Sequence, residues 1–447
     1  MRLFARTAFL PDGWAPDVAL EIAPDGMLVG VRPGAAPGPD AEILDGPVLP
    51  GMPNLHSHAF QRAMAGRAER RGASDDDFWT WREAMYALAA ALQPDALFGV
   101  AREVYGAMLR AGYTVVAEFH YLHRDPSGAW YADKAATSRA LIAAAQDAGI
   151  AICLLPALYA HAAPGGAPLQ ARQRRFAAHA EDVLEIAAAL RRDHAGDPDV
   201  VVGACAHSLR AVTPDELRAL LDGAPRDVPV HIHAAEQTRE VDAVRAALGA
   251  PPVAWLLANH DVGARWCLVH ATQVGAAERA QLARSGAVAG LCPTTEANLG
   301  DGLFPLGAYL ADGGALGIGS DSNVSLSPVE ELRWLEYGQR LATRRRIVAG
   351  TDANVSCGEA LYARAARGGA QACGIVAGTL APGRRADLVV LDERAAPLAG
   401  APPDELLDRY VFAAERAAPR HVMVRGRWRV RDGVLSAEAS RTSGYSL

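Results

Sequence analysis

Through the middle of the chain, short apolar runs alternate with alanine- and leucine-rich stretches. The runs at 48–55, 114–119, 151–157, 200–205, 228–232, 266–269, 287–291 and 315–318 read as eight buried strands. Between them, 98–110, 138–148, 175–191 and 214–221 read as helices. Strands separated in this way by helices predict βα units around a parallel sheet. Eight such units predict an α/β fold, a closed TIM-like (β/α)8 barrel rather than an open doubly wound sheet.

The two ends have a different texture. Segments 18–22 and 26–31 are short strands broken by Pro24-Asp25-Gly26 and Pro33-Gly34. Near the other end, 386–392 is a compact strand, and 421–424 and 428–430 flank a turn at Arg425-Gly426. The expected organisation is one small β domain from 1–48 and 376–447, with the barrel over 49–375.

Composition narrows the partners. Of 447 residues, 50% are hydrophobic and 21% charged, which is globular rather than disordered. The net charge of −7 offers no basic field for nucleic acid or an anionic membrane. No run reaches the length of a membrane span, and the N-terminal stretch lacks a signal-peptide pattern. The six cysteines are scattered and form no C-x-x-C pair. A reducing cytoplasm is the expected location. No G-x-G-x-x-G comes after the first strand and no Walker A sequence is present, which argues against a nucleotide cofactor.

The polar residues that could do chemistry stand at the strand ends. His56-Ser57-His58 ends the first, and its two histidines at i and i+2 share a face. His231-Ile232-His233 ends the fifth, with Glu236 three residues on; His270 ends the sixth and Asp321 the eighth. Singly, each has an ordinary explanation as a core histidine or a turn residue. Together they would converge, because all strands of a parallel barrel open on one face. Three imidazoles and a carboxylate suit zinc, with ferrous iron the alternative, and such an ion makes hydroxide available near neutral pH. His231 alternates with His233 and is expected to be structural, and His120 and His123 are left outside the site. The only lysine, Lys134, comes after no apolar strand, so a binuclear site bridged by a carboxylated lysine is not expected. Glu118, near the end of the second strand, is the weaker candidate for such a bridge.

These motifs resemble the amidohydrolase superfamily over almost the whole chain. Pro50 to His58 is similar to its first-strand metal motif, His231 to Glu236 to its fifth-strand motif, and Gly319-Ser320-Asp321-Ser322 to its eighth-strand aspartate. Gly378 to Leu388 is similar to its return into the β domain. A narrower set resembles the iminohydrolase family that acts on N-formimino-L-glutamate in histidine degradation. It comprises His56 to Arg62, Phe78-Trp79, Trp81-Arg82, Glu118 to Tyr121 and Ala206 to Arg210. The resemblance implies one divalent metal per chain on His56, His58, His233 and Asp321. It makes Glu236 and His270 proton-transfer residues, with Asp321 a second candidate base. It makes Gln61, Arg82, Tyr121, His207 and Arg210 substrate contacts. The implied partner is a small dianion, which arginines bind through paired hydrogen bonds. Homodimers are frequent among such barrels, so a homodimer is a candidate assembly. The rival reading is an aminohydrolase of a purine, pyrimidine or triazine ring on the same scaffold. A non-catalytic barrel is a further rival, and the complete ligand set argues against it.

Overall fold

A computed structural model describes residues 1–69, 77–350, 356–414 and 419–436. Residues 437–447, the end of the expected β domain, lie outside the described residues. Eight parallel strands form the barrel in chain order: Met52–Ser57, Tyr113–His120, Ala151–Leu158, Ala204–Ser208, Val230–Ala234, Trp266–His270, Val288–Leu291 and Ala315–Ile318. They are nearly all buried on both faces, which explains why they read as continuous apolar runs.

Two of the expected strands are each divided at a glycine. Val48–Pro50 pairs with Leu388–Leu391 in the terminal sheet, and Met52–Ser57 belongs to the barrel. Gly51 makes the crossing, because a Cβ there would lie 2.4 Å from the Thr114 side chain. Likewise Val200–Val202 and Ala204–Ser208 are separated at Gly203, where a Cβ would lie 2.5 Å from Leu155. The expected helix over 175–191 is also divided. A 3-10 turn over Ala171–Phe176 precedes the helix Ala180–Asp193, because Ala178 between them pairs with Tyr159.

The termini form the second, mostly antiparallel sheet, with Arg2–Leu10 beside Gly13–Ile22 and Pro419–Val424 beside Arg427–Arg431. Leu3, Val18, Leu20, Val390 and Met423 make its core. The helix Leu406–Phe412 was not legible in the sequence. It docks on barrel helices instead, through Asp408, which accepts from the Gly358 N–H at 2.7 Å, and through Arg333, which donates to the Val411 carbonyl at 2.7 Å. No single described helix is long and apolar enough to cross a membrane. All six cysteines are free and buried.

Candidate active site

The barrel closes where the first and eighth strands end, and the closure itself sets three of the candidate ligands. Ser57 bridges Asp321 in parallel. The His56 carbonyl accepts from the Ser320 and Asp321 N–H groups, each at 3.0 Å, and the Asp321 carbonyl accepts from the His58 N–H at 2.9 Å. Buried side chains lock this seam. Asn54 Nδ2 donates to Ser320 Oγ at 2.6 Å, Ser320 Oγ donates to Asn323 Oδ1 at 2.6 Å, and Asn323 Nδ2 donates to the His58 carbonyl at 3.0 Å. His233 arrives from the fifth strand and His270 from the sixth. Asp321 (φ +46°) and His270 (φ +68°) both hold left-handed backbone, which non-glycine residues keep only where the surroundings enforce it.

The donor atoms have the spacing of a metal cage. His233 Nε2 lies 3.1 Å from His56 Nε2. Asp321 Oδ1 lies 3.5 Å from His56 Nε2 and 3.4 Å from His58 Nε2. A tetrahedral ion with bonds of about 2.0–2.1 Å places neighbouring ligand atoms about 3.3 Å apart. The tautomers agree, because His58 Nδ1 donates to the Phe119 carbonyl at 2.7 Å and His233 Nδ1 to the His207 carbonyl at 2.8 Å. Each Nε2 lone pair is thereby left facing the cage. Burial holds His56 neutral, with its pKa pushed down to about 3, and lowers His58 and His233 in the same way. Burial opposes the charge on Asp321, but the hydrogen bond with His56 and the positive charge of nearby His270 outweigh it and keep the carboxylate ionised.

Beside the cage stands a second group of polar side chains. Glu236 has Oε1 3.8 Å from His270 Nε2 and Oε2 3.6 Å from Arg210 Nη2. Burial raises the Glu236 carboxyl to about 7. His270 Nδ1 donates to Glu296 Oε1 at 3.2 Å, and its Nε2 lies 3.9 Å from Asp321 Oδ2. Burial disfavours the His270 charge, but Glu236, Glu296 and Asp321 together raise its pKa. The candidate proton carriers Glu236, His270 and Asp321 thus face one another.

These residues open into a pocket of about 520 Å³, its mouth included. Gln61, Arg82, Tyr121, His207 and Arg210 all line it with His58, His233, Glu236, His270 and Asp321. Gln61 Nε2 donates to the Tyr121 hydroxyl at 2.8 Å, and its Oε1 has no hydrogen-bond partner among the described residues. Arg82 Nε donates to the Tyr86 hydroxyl at 3.0 Å. The His207 ring packs edge-on against Tyr159, with centroids 4.6 Å apart.

The residues set aside fall elsewhere. His231 Nε2 donates to the Ala372 carbonyl at 2.8 Å, His120 bonds Thr137 and His123 the Ala157 carbonyl. Lys134 pairs with Asp182 and Glu185. Glu118 Oε1 accepts from the Ala59 N–H at 2.7 Å and so anchors the turn that carries Gln61. Sequence reasoning missed Glu296, which holds His270, and Tyr86, Tyr159 and Phe176, which also line the pocket. Tyr86 had a signal, four residues after Arg82 on one helix. The other three reach the site from separate segments, and no spacing marks them.

A barrel that gathers three imidazoles and a carboxylate at its strand ends, with a buried glutamate alongside, has the plan of a metal-dependent hydrolase. Residues 48–429 match the amidohydrolase family, and residues 1–44 match the description "Formimidoylglutamate deiminase HutF, N-terminal domain". A formimidoylglutamate deiminase of Pseudomonas aeruginosa is 55% identical, over 98% of this chain and 96% of its own. The chain belongs to the amidohydrolase family and, within it, to the formimidoylglutamate deiminases. The crystal structure of an amidohydrolase from Brucella melitensis superposes with a TM-score of 0.92 at 46% identity, covering 98% of this chain and 97% of that one. An adenosine deaminase from Xanthomonas campestris, solved with bound zinc, shares the fold with a TM-score of 0.78 at 23% identity, covering 98% and 94%.

Proposed function

We propose that this protein hydrolyses N-formimino-L-glutamate to N-formyl-L-glutamate and ammonia, a step of histidine breakdown. The observation that carries the reading is the pair of guanidinium groups, Arg82 and Arg210, in the same pocket as Glu236, His270 and Asp321. The substrate has two carboxylates, and arginine meets a carboxylate with paired, charge-assisted hydrogen bonds. A purine, pyrimidine or triazine base offers these groups no carboxylate. The buried free thiols suit a cytoplasmic enzyme.

His56, His58, His233 and Asp321 are the proposed ligands of one divalent ion, zinc ahead of ferrous iron. When bound, that ion supplies Lewis acidity and lowers the pKa of a coordinated water towards about 7. The chain's own residues bind the substrate and move its protons. Arg82 and Arg210 fix the carboxylates, and Gln61, Tyr121 and His207 orient the formimino group. A water oxygen bonds to the formimino carbon, and the bond from that carbon to the terminal nitrogen breaks. His270 and Asp321 are the candidates to take the proton that the water releases. The water loses both of its hydrogens in becoming the formyl oxygen, and Glu236, poised near neutrality, delivers the two protons in turn to the departing nitrogen, which leaves as ammonia.

Arg210→Met tests the reading. The variant is expected to lose kcat/KM on N-formimino-L-glutamate by about one to two powers of ten, the worth of one charge-assisted contact. Metal content should not change, since Arg210 is no ligand. A substrate ester that masks the contacted carboxylate should lose much less on mutation than the free acid. Wild-type efficiency in both Arg210→Met and Arg82→Met would defeat the clamp. No ammonia from the free acid with the wild-type, metal-loaded protein would defeat the whole proposal.

A further inference from the structure

Glu240 is the third residue of the helix Thr238–Leu248 and is 1% exposed. Both of its carboxylate oxygens turn back along the chain. Oε1 accepts from the Ala235 N–H at 3.3 Å, and Oε2 accepts from the Glu236 N–H at 3.0 Å. A glutamate at this position of a helix ordinarily reaches back to the residue that caps it. Here the cap is Gln237, and the carboxylate passes it to grip the two residues before it. Those two form the bend out of the fifth strand, where Ala235 takes a left-handed backbone (φ +54°). Gln273 Nε2 donates to the Glu236 carbonyl at 3.4 Å from another strand end, so Glu236 is held at its N–H by one side chain and at its carbonyl by another.

Glu240 also bears on the neighbouring cation. Burial works against the Arg210 guanidinium, and the negative charges of Glu240 and Glu236 more than offset it. The Arg210 guanidinium is charged at any working pH, so what this buried carboxylate fixes is the backbone of Glu236.

We infer that Glu240 is a positioning residue for the hydrolysis, acting through Glu236 by holding the Ala235 and Glu236 amides with its two oxygens. The inference rests on the assignment of Glu236 as the proton carrier. Glu240→Gln replaces one acceptor oxygen with an amide group that presents N–H to N–H. Misplacing a catalytic group by about 1 Å costs up to about a hundredfold, so kcat on N-formimino-L-glutamate is expected to fall about ten- to hundredfold. KM should change less than about threefold, and metal per chain should match the wild type.

The decisive comparison repeats the change in a Glu236→Gln background. If Glu240 works through Glu236, it has no further effect there; a merely structural residue lowers the residual rate in both backgrounds. Glu240→Asp keeps the charge but is one methylene short of spanning both amides. It should show the same fall in kcat, and it carries the test if the glutamine variant does not fold. Wild-type kcat in a metal-loaded Glu240 variant overturns the inference, as does an equal loss in both backgrounds. A wild-type protein that turns over the substrate with a Glu236→Gln variant just as fast overturns the assignment of Glu236 instead.

Discussion

Glu236→Gln is expected to keep its metal and lose about 10³–10⁴-fold in kcat, the upper part of the range for one acid–base group. The size reflects the position. Glu236 lies three residues beyond His233, and its two oxygens face His270 and Arg210 at 3.8 and 3.6 Å. Its carboxyl is raised to about 7 by burial, so it can hold a proton and yield it near neutral pH. Glutamine has the same length and can still bond its neighbours, but it carries no transferable proton. The cage atoms of His56, His58, His233 and Asp321 are untouched, so metal per chain should stay at the wild-type level. Steady-state kinetics beside elemental analysis of one preparation checks both halves. Near-wild-type kcat in a fully loaded variant removes Glu236 from proton transfer.

Stripping the metal with a chelator should abolish turnover and lower Tm, and zinc should restore both. Four donors packed within 3.1 to 3.5 Å along their closest contacts are held there by barrel closure and by carbonyl partners, with or without an ion. An ion that binds this folded cage but not the unfolded chain stabilises it by about 4 kcal/mol at a thousandfold excess over Kd. The thermal readout is independent of activity, so it reports on the cage even where catalysis fails for another reason. Elemental analysis should give one tightly bound metal per chain. Two tightly held ions, or an unchanged Tm after complete removal, would contradict a single site on these four ligands.

Much of this site was legible because strand geometry is simple. His56 and His58 share a face by the period of two, and a parallel barrel brings His233, His270 and Asp321 to the same end whatever their distance in sequence. The eight-strand count came from apolar runs that are buried on both faces. What the pattern could not give was contact between segments. Gly51 and Gly203 divide strands because Thr114 and Leu155 stand against them, and neither neighbour is local. Ala178 interrupts a helical run because it pairs with Tyr159. Glu296 matters because α-helical residues 293–299 carry it to His270, and Glu240 because its side chain turns backward rather than outward. Such partners are set by packing, and no periodicity announces them.

The most direct test of the central claim is to identify the products of N-formimino-L-glutamate in water enriched in oxygen-18. The mechanism breaks the bond to the terminal imino nitrogen and puts one solvent oxygen on the formimino carbon. It predicts ammonia and N-formyl-L-glutamate in equal amounts, with a single heavy oxygen in the formyl group. Glutamate and formamide as the products would mean that the other carbon–nitrogen bond breaks, and would contradict it.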